Sequence, residues 1–389
     1  MAALNALLLD TATPPIPEAQ AWLRAYDGAF GQPINLSQAV PGDPPPAAFL
    51  ERLAEAGGSA EAARYGDILG DPALREAHAA ESSTLYGAVI SASDVAITAG
   101  CNQAFFVAVM AIARAGDAIL LPAPWYFNHK MTLDMLGIEA RPLPLKAEDG
   151  FLPDWRAAEA LIDRRVKAVV IVSPNNPTGA VTPPEELASF FRLCRQRGIR
   201  LILDETYRDF LGETGGRPHD LFAMDEWRDT LVSLYSFSKA HAIPGHRIGA
   251  ITAAPEFLAE VGKVLDCVQI SAPRTAQLAL PWAIAELRPW REAMRQRIGA
   301  RIEAFRAALQ PHAEWRIDQI GAYFAYLRHP FDGVPAVEVA ERLARERGVL
   351  TLPGSYFGPG QESHLRVAFA NVGEEIIAGL GPRFAGLAG

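Results

Sequence analysis

Short apolar segments alternate with helical patterns between residues 94 and 252, and this alternation constrains the fold more than any other feature of the sequence. The apolar segments are residues 95–98, 118–121, 138–143, 167–172, 200–203, 230–235 and 248–252. Helical patterns between them occupy residues 103–114, 128–136 and 155–163. Strands that are apolar throughout and separated by helices are typical of a mainly parallel sheet with helices on both faces. The alternation therefore predicts an α/β fold that binds ligands at the carboxyl ends of its strands.

The two ends of the chain follow different patterns. Residues 1–45 hold a helical segment at 19–26 and lead into a proline-rich loop, which predicts an N-terminal arm belonging to a smaller domain. Residues 46–275 form the predicted large domain, where a helix at 47–56 precedes a helix that begins at Pro72 and is capped by Asp71. Residues 276–389 form the predicted smaller α+β domain. Its predicted elements are helices at 276–310, 336–347 and 374–380 and strands at 314–317, 323–327 and 365–369.

The composition argues against several classes of function. The formal net charge of the 389 residues is −9, which offers no positive surface for nucleic acid or anionic lipid. The cysteines lack the paired spacing of a zinc site, so we predict no metal and a reducing compartment; they are Cys101, Cys194 and Cys267. Residues 1–9 lack the basic segment and cleavage site of a signal peptide, and the apolar run at 104–113 is shorter than the ~20 residues that span a bilayer. We therefore predict a cytoplasmic protein with no membrane partner.

A lysine follows the apolar segment at residues 230–235. Because burying a charged lysine is costly, Lys239 is either a solvated strand end or a neutralised amine of the kind that forms a Schiff base. Ser236, Ser238 and Arg247 place hydroxyl and guanidinium donors near it, and such donors bind a phosphate dianion. This stretch alone leaves both interpretations of the lysine open.

Three other strand ends carry polar residues. Gly100, Cys101 and Asn102 open a helix after a strand, so their backbone N–H groups either bind a phosphate or form an ordinary turn. Asn176 begins a tight Asn-Pro-Thr-Gly turn, in which an asparagine is often no more than a turn former. Asp204 ends a buried strand, where a carboxylate needs a partner: a ligand, an arginine or a helix terminus.

Three motifs on successive strand ends carry a family resemblance. They are Asn176-Pro177-Thr178-Gly179, Asp204 with Tyr207 three residues later, and Ser236-x-Ser238-Lys239 with Arg247 eight residues after the lysine. In this order they resemble the class I/II aminotransferases, the fold-type I enzymes that use pyridoxal 5'-phosphate. The resemblance runs from about residue 35 to about residue 371. It implies a large domain that binds this cofactor, a smaller domain, and a homodimer with shared active sites.

The resemblance implies a role for each matching residue. Lys239 resembles the lysine that holds the cofactor as a Schiff base and later moves a proton, and Asp204 resembles the carboxylate that keeps the pyridine nitrogen protonated. Asn176 and Tyr207 resemble the hydrogen-bond donors to the ring's phenolate oxygen, and Tyr126 resembles the aromatic that stacks on the ring. The implied phosphate ligands are Ser236, Ser238, Arg247, Gly100, Cys101 and Asn102.

Other matching positions concern the substrate and the second subunit. Arg366 resembles the arginine that binds the substrate's α-carboxylate, a planar group that a guanidinium recognises in bidentate fashion, and Asn176 is expected beside it. Ala39 occupies a position where many relatives have a glycine whose backbone approaches the substrate. Tyr65 resembles the tyrosine that reaches the phosphate in the neighbouring subunit. The expected apolar walls of the side-chain pocket are Val40, Trp125, Tyr126 and Phe357, although a core role for Phe357 is an equal alternative.

We interpret the chain as a pyridoxal-phosphate-dependent aminotransferase that exchanges an amino group between an L-amino acid and a 2-oxo acid by a ping-pong mechanism. A C–S lyase that removes a β-substituent on the same scaffold is the alternative, because it needs the same cofactor residues. No second arginine clearly matches the side-chain clamp of aspartate-specific relatives, although Arg274 stays open, so neutral or aromatic substrates are favoured. A ligand-sensing regulator is a third hypothesis, but residues 1–45 leave no room for a DNA-binding domain.

Overall fold

The computed structural model describes residues 4–212 and 217–387. Its strands are β1 (Ile34–Asn35), β2 (Val95–Thr98), β3 (Ala118–Ala123), β4 (Glu139–Pro144), β5 (Val166–Val172), β6 (Arg200–Asp204), β7 (Leu231–Ser236), β8 (Gly249–Thr252), β9 (Arg316–Gly321), β10 (Phe324–Arg328), β11 (Val349–Leu350), β12 (Leu352–Pro353) and β13 (His364–Ala368). Its α-helices are α1 (Ala6–Asp10), α2 (Pro15–Trp22), α3 (Ala47–Gly57), α4 (Pro72–Tyr86), α5 (Cys101–Ile112), α6 (Phe127–Met135), α7 (Trp155–Leu161), α8 (Pro184–Arg197), α9 (Trp227–Thr230), α10 (Phe237–Ala240), α11 (Pro255–Val268), α12 (Arg274–Glu286), α13 (Arg288–Leu309), α14 (Ala336–Arg347), α15 (Glu374–Ala378) and α16 (Gly381–Phe384). None of the helices within these described ranges is both long and apolar enough to cross a membrane.

In the part of the chain that the structure describes, the larger sheet has seven strands in the order β2-β8-β7-β6-β5-β3-β4. Its neighbouring strands are parallel except at β8, which runs antiparallel to both β2 and β7. Successive residues of β5 enter opposite cores: Val169 and Ile171 pack on the side of α4, α8 and α12, whereas Val170 packs on the side of α5 and α11. The sheet is therefore covered on both faces, and the predicted mainly parallel α/β architecture is confirmed.

A smaller antiparallel sheet has the strand order β12-β13-β10-β9. The short strand β1 pairs in parallel with β11, which brings the N-terminal segment onto C-terminal elements. Trp22 of α2 accordingly shares a hydrophobic core with Phe305 of α13 and Leu343 of α14. These elements form the predicted smaller α+β part, while the division into residues 1–45, 46–275 and 276–389 stays a prediction.

Three details differ from the sequence-based prediction. The helix predicted at residues 276–310 is two helices, α12 and α13, because Pro289 near the start of α13 has no N–H to continue the hydrogen-bond ladder. Helix α2 begins at Pro15, about one turn before its predicted start, because proline fits the first turn of a helix. Asp71 precedes α4 as predicted, but its carboxylate pairs with Arg274 instead of capping the helix.

Candidate active site

A cavity of about 270 Å³ lies at the carboxyl ends of β5, β6 and β7, beside the start of α5. The three strand ends contribute Val172, Asp204 and Ser236 to its wall. The residues predicted for the site that line this cavity are Ala39, Cys101, Asn102, Tyr126, Asn176, Asp204, Tyr207, Ser236, Ser238, Lys239, Arg247 and Arg366. The fold therefore brings residues from both sheets and from the N-terminal segment to one place.

Lys239 enters the cavity from the short helix α10, which directly follows β7. Ser236 caps this helix, since its Oγ accepts a hydrogen bond from the backbone N of Ser238 at 3.3 Å. The Lys239 Nζ donates a hydrogen bond to the backbone oxygen of Ala39. Burial lowers the pKa of Lys239 to about 8, and the positive charges of Arg247 and Arg366 act in the same direction. An amine with so low a pKa is partly neutral at neutral pH and is a competent nucleophile.

Asp204 ends β6 with its side chain buried in the cavity wall. Its Oδ1 accepts a hydrogen bond from the backbone N of Thr206 at 2.9 Å, and the Cys101 Sγ lies 3.7 Å from the same oxygen. The Nε2 of His129 lies 3.3 Å from Oδ2. Although burial alone raises it, the hydrogen bonds from His129 and Thr206 bring the pKa of Asp204 below its ordinary value. The carboxylate therefore stays ionised at neutral pH and suits a cationic ligand group.

His129 is a site residue that the sequence-based prediction missed. It lies in the first turn of α6, where its ring stacks on Phe105 with centroids 3.9 Å apart. Its Nδ1 is buried and has no hydrogen-bond partner among the described residues. The spacing supplied a signal, because His129 follows Tyr126 by three residues at a helix start and such residues share one face.

An anion cradle is formed where the start of α5 meets Arg247. Gly100 has φ +87°, and a Cβ there would lie 2.3 Å from Nη2 of Arg247, so the guanidinium occupies the space that a side chain would fill. The Oγ of Ser238 is buried without a hydrogen-bond partner in the described ranges. A free hydroxyl, a guanidinium and the N-terminus of α5 form a donor set suited to a phosphate.

Two tyrosines supply phenol groups to the cavity. The Tyr126 hydroxyl donates to Oδ1 of Asn102 at 3.4 Å, and burial raises the pKa of Tyr126 to about 12. Tyr207 is buried against Tyr323 and Phe324, with ring centroids 5.2 and 5.1 Å away, and its pKa is also raised by burial. Both phenols therefore stay protonated at neutral pH and are available as hydrogen-bond donors.

Arg366 on β13 is a buried cation that is 2% exposed. Its Nη1 donates to Oδ1 of Asn176 at 3.1 Å, and its Nη2 donates to the backbone oxygen of Ser37. Within residues 4–212 and 217–387 it forms no ion pair, and its Nε has no hydrogen-bond partner. Burial lowers the pKa of Arg366 to about 10. A buried guanidinium without an anionic neighbour suits a carboxylate ligand.

The apolar side of the cavity differs from the expectation. Ile16 of α2 and Phe127 of α6 line it together with Val40. Phe357 is fully buried behind this wall, where its ring packs on Phe127 with centroids 5.7 Å apart. Trp125 lies behind the wall too, because its backbone N donates to the backbone oxygen of Phe357 at 2.7 Å. The pocket walls therefore come partly from the N-terminal segment and not from these two aromatic residues.

Tyr65 and Arg274 lie away from the cavity in this chain. Tyr65 is 78% exposed on the loop between α3 and α4. Arg274, which stayed open as a substrate clamp, is held by ion pairs to Asp71 at 3.1 Å and Glu61 at 3.0 Å. A single chain therefore does not bring either residue to the site.

Comparison with known proteins agrees with this geometry. Residues 32–380 match the family described as aminotransferase class I and II. The chain belongs to this family. The arginine–pyruvate transaminase AruH of Pseudomonas aeruginosa is 28% identical over 309 residues, which cover 78% of this chain and 77% of that protein. The valine–pyruvate aminotransferase of Mycobacterium tuberculosis is 30% identical over 384 residues, which cover 95% of each.

A solved structure of a single mutant of the Thermus thermophilus aspartate aminotransferase resembles the whole aminotransferase chain. It has a TM-score of 0.90 and 26% identity, and the match covers 99% of each chain. The predicted family, fold and enzyme class are therefore confirmed. Because these relatives are named as aminotransferases or transaminases, aminotransfer is favoured over the C–S lyase alternative.

Proposed function

We propose that this aminotransferase uses pyridoxal 5'-phosphate to exchange an amino group between a neutral or aromatic L-amino acid and a 2-oxo acid. The observation that carries the proposal is the convergence of Lys239, Asp204 and Arg366 on one cavity. These side chains supply a nucleophilic amine, a permanent anion and a buried cation that lacks an anionic partner among the described residues. They match the amine, the pyridine-nitrogen partner and the carboxylate clamp that the reaction requires.

The residues of the cavity fit this cofactor. Arg247, Ser238 and the start of α5 would hold its phosphate. The Ser238 hydroxyl has no hydrogen-bond partner among the described residues, so it is available to donate to the phosphate. Asp204 would pair with its pyridine nitrogen, and Tyr207 would donate to its phenolate oxygen. When bound, the cofactor supplies an electron sink for the charge that develops at the substrate's Cα.

The protein's own groups would then position the substrate and move its proton. Arg366 binds the α-carboxylate and so fixes the orientation of the Cα–H bond, while the Asn176 amide remains beside that carboxylate. Lys239 in its free amine form removes the proton from Cα, because its lowered pKa lets it accept and return a proton near neutral pH. In the second half of the ping-pong cycle these steps run in reverse with a 2-oxo acid, so that Lys239 would return a proton to Cα of the new amino acid.

The cavity wall supports a neutral or aromatic side chain. Ile16, Val40 and Phe127 present apolar surface. Among the described residues that line the cavity, the cationic side chains are Lys239, Arg247 and Arg366, each of which already has a proposed task. A second substrate carboxylate would therefore be buried without a partner, which is unfavourable.

We also propose that the enzyme is a homodimer in which Tyr65 reaches the partner's cofactor phosphate. The loop that carries Tyr65 is held in place, since the backbone N of Gly66 donates to Oγ of Ser271 at 3.3 Å. Exposed apolar side chains accompany it at Ile68, Val268 and Ile270. A variant inactivated at Tyr65 and the variant Lys239→Ala should recover part of the activity when they are mixed. A hybrid dimer of the two contains one site in which both Tyr65 and Lys239 are intact. No recovery after verified subunit exchange would contradict this assignment.

A cytoplasmic location stays a prediction.

Cofactor mapping tests the central proposal. The sequence contains five lysines, of which Lys239 lines the cavity. Borohydride reduction of the purified protein followed by peptide mapping should place the phosphopyridoxyl group on Lys239. In a separate experiment, incubation of the unreduced enzyme with neutral or aromatic amino acids should yield the pyridoxamine form and a 2-oxo acid without ammonia. A label on another lysine would refute the site, whereas ammonia and pyruvate from a β-substituted amino acid, without the pyridoxamine form, would establish the lyase.

A further inference from the structure

A second buried polar cluster lies on the face of the large sheet opposite the cavity. We call the residues Tyr86, Glu205, Arg208, His219 and Ser233 the back-face network. Their side chains are between 0% and 7% exposed. The network begins at Glu205, the residue directly after Asp204, because consecutive residues at the end of a strand point to opposite faces. Two adjacent carboxylates thus serve two different environments.

Glu205 is the acceptor at the centre of the network. Its Oε1 accepts hydrogen bonds from the Tyr86 hydroxyl at 2.5 Å and from Nε2 of His219 at 3.1 Å. Its Oε2 accepts a hydrogen bond from the Ser233 hydroxyl at 2.7 Å. Burial raises the pKa of Glu205, but His219 and Arg208 outweigh this effect and lower the pKa to about 2. The carboxylate is therefore a buried anion fixed by donors on α4, on β7 and on the segment before α9.

Arg208 completes the charge balance. Its Nη1 donates to the Tyr86 hydroxyl at 3.1 Å, and its guanidinium carbon lies 3.9 Å from the ring centroid of Tyr235 on β7. Tyr235 in turn donates to Oδ2 of Asp209 at 2.8 Å. Arg208 thus lies between two tyrosines on different elements, and it ties the segment after β6 to β7.

The network acts on a segment that carries two cavity residues. The backbone N of Arg208 donates to the backbone oxygen of Glu205 at 3.0 Å, and the backbone N of Phe210 donates to that of Tyr207 at 2.9 Å. Asp204 and Tyr207 face the cavity from this short turn, while Glu205 and Arg208 anchor it from behind. Because a displacement of about 1 Å at a catalytic group can cost ~100-fold in rate, such anchoring has functional consequences.

The network also reaches the helix that carries Lys239. The ring of His78 stacks on Tyr235 with centroids 5.3 Å apart and contacts the ring of Phe237 edge-on at 5.3 Å. Phe237 is the first residue of α10 and is fully buried. The two strand ends that present Asp204 and Lys239 are therefore braced from behind by connected side chains.

We propose that Glu205 and Arg208 are positioning residues for the cofactor, which hold the Asp204–Tyr207 turn and the Lys239 helix in register from the back face of the sheet. This inference rests on the proposed function, because it assumes that Asp204, Tyr207 and Lys239 contact pyridoxal phosphate. A merely structural role would lower stability alone. A positioning role also changes how tightly the cofactor is held and at which pH its absorbance titrates.

The test compares two buried carboxylates. Glu205→Gln removes the charge at nearly constant shape, and Asp94→Asn is its matched control. Asp94 is also 1% exposed, accepts a hydrogen bond from a serine hydroxyl (Ser91) and pairs with an arginine (Arg228). It lies before β2, at the opposite end of that strand from Gly100. The two variants therefore make the same chemical change near and far from the cofactor turn.

Both holoenzymes are assayed by two readouts besides activity. These are the rate of loss of visible absorbance after dilution into cofactor-free buffer, and the pH midpoint of that absorbance. Loss of the groups that orient metal ligands typically costs roughly 10- to 100-fold. By analogy, we expect Glu205→Gln to release the cofactor about 10-fold faster and to shift the midpoint, while Asp94→Asn changes neither. Tyr86→Phe deletes the hydroxyl shared by Glu205 and Arg208, and it serves if Glu205→Gln fails to fold.

The outcomes separate this inference from the proposed function. If the wild-type protein binds no pyridoxal phosphate at Lys239, the proposed function itself fails. If the wild type binds it, and the network variants lose stability but keep the release rate and the pH midpoint, the positioning role alone is refuted. A change in both readouts at Tyr86→Phe or Glu205→Gln, with none at Asp94→Asn, supports it.

Discussion

Replacing Arg366 by methionine tests whether this buried cation serves to bind a ligand or to stabilise the fold. Arg366 is the largest fully buried side chain among the described residues, so a large loss of stability would ordinarily be expected. We predict instead that Arg366→Met leaves the free energy of unfolding of the cofactor-free protein within about 1–2 kcal/mol of the wild-type value. The same substitution should abolish most of the activity.

The stability estimate follows from the surroundings of the guanidinium. Burial lowers the pKa of Arg366 from its ordinary 12.5 to about 10. At 1.36 kcal/mol per pKa unit, the protein thus disfavours the charged form by about 3 kcal/mol. Methionine relieves this penalty but loses the hydrogen bonds to Asn176 and Ser37, each worth roughly 1 kcal/mol net. It also loses the cation–π contacts of the guanidinium carbon with the rings of Phe324 and Phe357, whose centroids lie 5.3 and 4.9 Å away and which add about 0.5–1 kcal/mol each. The remaining difference is small because the two effects oppose each other.

The loss of activity has a separate magnitude. A guanidinium can donate two charge-assisted hydrogen bonds to the substrate's α-carboxylate, and each is worth about 1.5–3 kcal/mol. Their loss should lower kcat/KM for an amino acid by roughly 10²- to 10⁴-fold. The half-reaction, followed by the absorbance of the cofactor, measures this change. The cofactor itself should remain bound, because Arg366 is not among its proposed phosphate ligands.

Arg208→Met is the matched control, since both arginines are buried but their electrostatic surroundings differ. Burial opposes the charge of Arg208 as well, yet the neighbouring Tyr86, Tyr235 and Glu205 raise its pKa above the ordinary value. Removing it leaves Glu205 with less compensation, which should cost about 3–5 kcal/mol of unfolding free energy. Urea unfolding of both variants gives the comparison. If Arg366→Met lost as much stability as Arg208→Met, the reasoning that Arg366 lacks an internal counter-charge would be wrong.

Three further predictions concern the cofactor residues. The pKa of Lys239 is about 8 in the folded chain and 10.5 ordinarily, so between pH 8 and 10.5 the unfolded chain binds a proton that the folded chain lacks. The free energy of unfolding of the cofactor-free protein, measured with urea, should therefore rise by up to about 3 kcal/mol from pH 8 to 10.5. Lys239→Met should remove this rise. Gly100→Ala would press a Cβ against Arg247 and should speed cofactor release at least about 10-fold. Gly116→Ala is the control, because Gly116 has φ +90° but open space around it, and it should not change the release rate. Equal release rates for the two variants would contradict the assignment of Gly100 and Arg247 to a phosphate cradle. Asp204→Asn should lower kcat by about 10²- to 10³-fold with the fold intact by circular dichroism, and near-normal turnover would rule out its role at the pyridine nitrogen.

The strand ends were predictable from the sequence because each follows an apolar run and carries a residue that is costly to bury. Lys239 and Asp204 are such residues, and the structure places both in the cavity wall. The period of two in a strand and the position of the turn are local properties, so they can be inferred without knowing which elements meet. Local signals also predicted α14 at residues 336–347.

The side-chain pocket was less predictable because it depends on contacts between distant segments. Ile16 reaches the cavity only after the N-terminal segment packs on the C-terminal core, and nothing local to α2 indicates this. The sequence left a wall role and a core role equally open for Phe357, and its packing on Phe127 places it in the core behind the wall. Tyr65 is exposed in the single chain, so its proposed contact depends on a second subunit.

The two acids at the end of β6 show how one local pattern serves both faces of the sheet. Asp204 has Nε2 of His129 3.3 Å from its Oδ2 and lines the cavity, whereas Glu205 accepts hydrogen bonds from Tyr86, His219 and Ser233. Since adjacent anions repel each other, each needs its own donors to stay ionised. An acid followed by another acid at the end of a buried strand therefore predicts two separate sets of donors, one on each face. In this aminotransferase both carboxylate oxygens of Glu205 have donors among the described residues, whereas Asp204 also faces the cavity that is proposed to bind the cofactor.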